Sequence, residues 1–247
     1  MQPGDREPAV LLAVGACLLA LSGLQPHDRF TWFLEVGPIL VGVPALVATY
    51  RRFRLTPLAY RLVFIQSAIL MVGAYYTYEK VPLGFWMQET FGFARNHYDR
   101  IGHFAQGFVP AILAREVLLR LTPLVRGGWL FFLVTCVCLA ISAFWEFLEW
   151  WAAVATGARA SAFLGTQGDP WDTQWDMFMA FLGAIAAQLT LSRLHDRHLA
   201  LPPRRGPGRL FVVKVQSSRP HARCGFEGAG LRPGGEPLRS VCFPAPS

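Results

Sequence analysis

The stretch Gln167-Gly168-Asp169-Pro170-Trp171-Asp172-Thr173-Gln174-Trp175-Asp176-Met177 runs into the apolar segment Trp175–Leu194. Asp169 fits a helix cap, Pro170 the first helical position, and Asp172 lies three residues after the cap. The apolar segment that follows has about the 20 residues that a membrane-spanning helix needs. Asp172 and Asp176 are four residues apart and share a helix face. That face continues as Ala180, Gly183, Ala184 and Ala187. Small residues mark the side on which membrane helices approach closely. The pattern therefore predicts a spanning helix whose carboxylates point into a bundle rather than towards lipid.

Five further apolar stretches point the same way: Ala9–Leu24, Trp32–Tyr50, Ala59–Tyr78, Ile101–Leu119 and Trp129–Trp151. Over 247 residues the chain is 53% hydrophobic and only 16% charged, with a mean hydropathy of +0.34. The short polar connections leave too little amphipathic surface to solvate a water-soluble core. The fold class is therefore all-α, a polytopic membrane bundle of about six transmembrane helices over residues 1–198. Residues 199–247, rich in Pro, Gly and Arg, are expected to form a disordered cytoplasmic tail. The Cys17 region has the look of a lipoprotein cleavage site, but apolar character continues to Leu24, so an uncleaved helix is expected.

The net charge of +7 resides in the last quarter of the chain: from Arg193 onward there are ten Lys/Arg and three Asp/Glu, and the rest balances. Elsewhere basic residues fall in alternate loops, with Arg51, Arg52, Arg54, Arg61, Arg120 and Arg126 on one side. The positive-inside rule explains this better than nucleic-acid binding does. It predicts an inner-membrane protein with both termini cytoplasmic and the acidic helix ends outside. Cys17, Cys136 and Cys138 lie in apolar runs, and with Cys224 and Cys242 they form neither a disulfide nor a zinc pattern.

Two more acidic helix ends belong to the outer face. In Trp145-Glu146-Phe147-Leu148-Glu149-Trp150 the two glutamates are three apart, and Ser142 and Cys138 continue their stripe inward. In Tyr98-Asp99-Arg100-Ile101-Gly102-His103-Phe104, Asp99 and His103 are four apart, so Asp99 is placed to orient the imidazole. Arg100 is a natural partner for a neighbouring carboxylate. Arg115 and Glu116 fall at the opposite end and are expected at the interface. Ionisable groups in lipid are functional-site candidates by default. The candidate metal ligands are Asp99, His103, Glu146, Glu149, Asp172 and Asp176, with His103, Glu146 and Asp176 as candidate acid–base groups. Several carboxylates with one imidazole suit a hard divalent ion such as Mg, Mn or Ca.

The run His97–Phe104, the Glu146/Glu149 pair, and Gly165-Thr166-Gln167-Gly168-Asp169 with Trp171, Asp172, Gln174, Asp176 and Met177 resemble the uncharacterised bacterial inner-membrane family typified by YjdF. The similarity covers residues 9–198. It implies a multi-span membrane protein and carries no activity with it. Asp99-Arg100-x-x-His103-Phe104 is more distantly similar to VanZ-like membrane proteins, which implies an envelope role. Three functional classes follow. The first is a metal-assisted site acting on a lipid or lipid-linked envelope substrate, with membrane lipids as its surroundings. The second is an ion-coupled transporter or proton relay using the same carboxylates. The third is a non-catalytic structural subunit. No Gly-x-Ser-x-Gly, His-Glu-x-x-His or phosphate-binding glycine loop is present.

The topology is open to direct test. Reporter fusions after Arg54, Arg126 and Leu199 are expected to read cytoplasmic, and fusions after Lys80 and Arg159 external. The reverse at Arg54 and Lys80 would overturn the assignment.

Overall fold

An apolar segment in lipid has no water to satisfy its peptide groups, so each segment bonds to itself as a helix. A computed structural model describes residues 6–157, 161–164 and 166–200. It shows α1 (Arg6–Leu24), α2 (Arg29–Glu35), α3 (Gly37–Thr49), α4 (Pro57–Tyr76), a 3₁₀ turn (Tyr78–Lys80), α5 (Pro82–Phe91), α6 (Tyr98–Leu121), α7 (Gly128–Thr156), α8 (Ser161–Leu164) and α9 (Asp172–His198). No strand occurs among the described residues. The tail expected over residues 199–247 lies outside them beyond residue 200.

Five segments are long and apolar enough to cross a membrane: α1, α2 with α3, α4, α7 and α9. The sixth predicted span, α6, is 24 residues long and so reaches about 36 Å. Asp99, Arg100, Arg115, Glu116 and Arg120 keep it from being apolar enough by composition. It is instead the helix that α4, α7 and α9 pack around, with Asp99, Arg100, Arg115 and Glu116 all buried. A charged helix is tolerated where its neighbours, not lipid, surround it.

The expected single span Trp32–Tyr50 is broken. Val36 separates α2 from α3, and Pro38, which has no N–H to give, opens α3. The break leaves Glu35 buried at the end of α2.

α6 and α9 form the centre of the molecule. A Cβ on Gly107 would lie 1.8 Å from the Ala180 carbonyl oxygen, and one on Gly183 would lie 2.0 Å from the Phe104 carbonyl oxygen. Backbone thus meets backbone, in the manner that small residues allow in membranes. Below this contact Val109, Ile112, Val134, Ala184 and Ala187 close an apolar core with α4 and α7.

Gly107→Ala and Gly183→Ala should each force the two helices apart. Overpacking costs about 1–3 kcal/mol, so both variants should unfold at lower temperature in detergent. An unchanged midpoint for both would show that this interface yields freely.

Candidate functional site

The N-terminal end of α6 is fixed by the loop before it. The Asn96 side chain accepts the Tyr98 N–H at 3.0 Å and donates to the Val81 carbonyl at 3.0 Å. The Gln167 side-chain amide pairs with the Asn96 backbone in both directions, at 3.1 and 2.8 Å. Arg95 donates to the Thr166 carbonyl at 2.6 Å and lies 2.9 Å from Asp172. The turn that carries Gln167 needs Gly168 at φ +83°, where side chains are rarely tolerated. Asp169 accepts the Trp171 N–H at 2.9 Å, and α9 itself starts at Asp172. The unusual run before α9 thus clasps the start of α6.

Arg100 stands between α6 and α9. Its guanidinium reaches Asp172 at 2.7 Å and Asp169 at 3.3 Å, and forms a short ion pair with Asp176. Together with Arg95 it neutralises the α9 carboxylates. A guanidinium offers five donors in a planar fork, so one arginine can serve several carboxylates at once.

His103 lies one turn further along α6 and is 4% exposed. Its Nε2 is 3.4 Å from Asp99 and 3.7 Å from Asp176, and its Nδ1 is 3.8 Å from Glu146. Glu146 and Glu149 are both buried on the same face of α7, continued inward by buried Ser142 and Cys138. Two sets of side chains bring their ligand atoms within 4.8 Å of one another: Asp99, His103 and Asp176, and His103, Glu146 and Glu149. Five of the six predicted ligands therefore meet around His103. Asp172 belongs to the arginine-paired side.

The two nitrogens of His103 differ in their surroundings. Nε2 faces Asp99, and Asp176 is already held by Arg100. Nδ1 and the facing Glu146 Oε1 are buried with no hydrogen-bond partner, as is Ser142 Oγ. Buried polar atoms are nearly always satisfied, so this set requires an explanation.

Glu35 was not expected here. It is buried, and Tyr78 is packed beside it. Burial first, then the nearby Glu35, Tyr98, Asp99 and Glu149 carry the Tyr78 phenol well above its usual pKa, so it remains a neutral donor. Tyr78 fits because Gly73 and Gly102 leave room for its ring.

A second charged cluster occupies the other end of α6. Arg115 and Glu116, expected at the interface, are 2% and 0% exposed. Glu116 accepts from Thr56 N at 2.9 Å, Thr56 Oγ1 at 2.8 Å and Arg120 at 2.7 Å. Arg115 ion-pairs with Asp196 and reaches His195 Nδ1 at 2.9 Å. A guanidinium only donates, so Nδ1 accepts and Nε2–H donates to Glu116, 3.1 Å away. No side-chain atom of Arg115, Glu116, His195 or Asp196 is buried without a partner. This end is a saturated structural lock.

Residues 7–197 match the family model described as "Predicted membrane protein (DUF2238)". The chain belongs to that family. It is 55% identical over 183 residues, 74% of this chain, to "Inner membrane protein YjdF" of Escherichia coli (strain K12), 87% of which is covered. No solved structure matches.

Removing Arg100 should leave Asp176 buried without an arginine and Asp172 with Arg95 alone. Breaking a buried pair costs about 3–5 kcal/mol, so Arg100→Leu should lose most of its folded protein in a detergent-stability assay. Adding Asp172→Asn and Asp176→Asn should restore part of it. A single Arg100→Leu as stable as the parent would contradict this pairing.

Proposed function

We propose that this multi-pass membrane protein binds a divalent cation between His103, Glu146 and Glu149, and uses it on a lipid or lipid-linked substrate. The observation that carries the reading is the facing, unpartnered pair His103 Nδ1 and Glu146 Oε1. Their 3.8 Å separation is too long for a hydrogen bond. It suits two donors sharing one ion: neighbouring ligands around Ca²⁺ stand about 3.3–3.7 Å apart, and around tetrahedral Zn²⁺ about 3.3 Å. The corresponding octahedral edge for Mg²⁺ is about 2.9 Å, so of these the spacing lies nearest to Ca²⁺, with Mn²⁺ a further ion of the same hard class.

Charge supports the same assignment. Arg95 and Arg100 serve the α9 aspartates, while the basic group facing Glu146 is the His103 imidazole, with the Thr173 hydroxyl also in reach of that glutamate. Neutral imidazole can give Nδ1 to a cation while Nε2–H points to Asp99, the arrangement that fixes a metal-binding tautomer. Asp99 is then a positioning residue, and Asp176, held by Arg100, lies 3.7 Å from the same Nε2. A bound cation would lower the pKa of a coordinated water and polarise a phosphoryl or carbonyl oxygen.

Exposed Trp150, Trp151, Trp171 and Trp175 surround this end of the bundle. Tryptophan favours the headgroup level, so a substrate reaching the site from the bilayer would present its headgroup there. The inner-membrane relative and the alternating basic loops support a bacterial inner-membrane location with this end outward. The close α6–α9 packing argues against a water path along that interface, as a carrier would need.

Calcium or manganese should raise the melting temperature of the purified protein. A ligand at 100 times its Kd adds about 2.7 kcal/mol. Glu146→Gln should abolish the effect and Asp169→Asn should leave most of it. No shift with Ca²⁺, Mn²⁺, Mg²⁺ or Zn²⁺, or an equal shift in Glu146→Gln, would sink the proposal.

A further inference from the structure

A groove of about 870 Å³ opens between α1, α3 and α4, and none of the His103 cluster lines it. Its walls are apolar, with Leu12, Leu19, Val43, Val47 and Phe64 among them. One end is different: Tyr50, Arg51 and Tyr60 line it. Arg52 and Arg54 follow in the same short connection.

The groove is built, because its walls are tied together at both ends. At the arginine-rich end, Arg61 of α4 makes a two-pronged ion pair with Glu7 of α1. There too the Tyr50 and Tyr60 rings meet at 5.9 Å, and Tyr60 Oη accepts the Leu55 N–H at 3.1 Å. At the other end Trp32 of α2 donates to Ser22 of α1 at 3.1 Å, its indole lying over Gly23. Between the clamps α3 turns away after the Val36–Pro38 break, and only Ile39 of that helix is buried. The middle therefore stays open. The volume is within the range of a small-molecule site, about 300–1,000 Å³.

An apolar slot ending in an arginine cluster at the membrane surface matches an amphiphile with an acyl chain and an anionic headgroup. We propose that the groove between α1, α3 and α4 binds an anionic phospholipid, with an acyl chain along Leu12, Val43 and Phe64 and its phosphate at Arg51. A flat helix face of a second copy fits a concave slot poorly, and a zwitterionic headgroup would gain less from the arginines. This site is separate from the proposed cation site.

The test is native mass spectrometry of the full-length protein, delipidated and then titrated with phosphatidylglycerol or phosphatidylcholine. The parent should bind one phosphatidylglycerol ahead of further adducts and prefer it to phosphatidylcholine. Arg51→Gln should reduce that preference about fivefold, the contribution of one arginine near a membrane surface. Gly15→Phe should remove the first adduct, since Gly15 lines the slot and its Cβ alone would already touch Phe64 at 3.8 Å. Val43→Trp blocks it from the opposite wall should Gly15→Phe fail to fold. Val41→Phe, on the exposed face of α3, is the control and should bind as the parent does. Equal binding of the two lipids, or an undiminished first adduct in both filled variants, would overturn the proposal. So would a dimer that the filled variants dissociate, which would assign the slot to a second copy.

Discussion

Everything at the acidic end depends on how closely α6 approaches α9. At Gly107 and Gly183 there is no room for a single methyl group between one backbone and the other. That contact sets the distance at which the charged residues two turns away must meet. Arg100 can bridge three aspartates only because the helices cross here at backbone distance. The same constraint brings His103 alongside Asp176 and presents its other nitrogen to α7. Small residues in the middle of the pair and charged residues at its ends are therefore one design: the first positions the second.

The two ends of this helix pair use similar residues differently. Arginine, histidine, glutamate and aspartate are buried at both. At the Arg115 end each group has a partner and the histidine tautomer follows from donor geometry alone. Such a network orders the helices without needing anything further. At the His103 end the arginines satisfy one side, and the imidazole and a glutamate on the other side face each other without a hydrogen bond. Leaving buried polar atoms unmet costs about 1–3 kcal/mol each. The proposed cation site lies at the open cluster.

Much of this was legible from periodicity. Asp172, Asp176, Ala180, Gly183, Ala184 and Ala187 read as one face, and all six are buried. Glu146, Glu149, Ser142 and Cys138 read as another, and they too are buried. The all-helical membrane architecture followed from the length of the apolar runs. Periodicity identifies a face but not the helix it meets. Arg115 and Glu116 therefore read as interfacial, because their partners His195 and Asp196 lie about 80 residues away, just beyond the expected end of the last span at Leu194. Periodicity does not place Glu35 in the bundle, because the break at Val36 that buries it is set locally by Pro38 inside an apolar run. Arg95 sits in a loop, and only the folded path of the Thr166–Asp169 turn brings it to Asp172. Helix α6 read as a span by length, although its composition fits only a helix enclosed by others.

The proposed cation sits between α6 and α7. The most direct measurement is anomalous scattering from crystals of the protein grown with manganese. One strong peak is expected, bounded by His103 Nδ1, Glu146 and Glu149, with Asp99 hydrogen-bonded to the far side of the imidazole. No peak there, with His103 Nδ1 and Glu146 instead bridged by water or by each other, would contradict it.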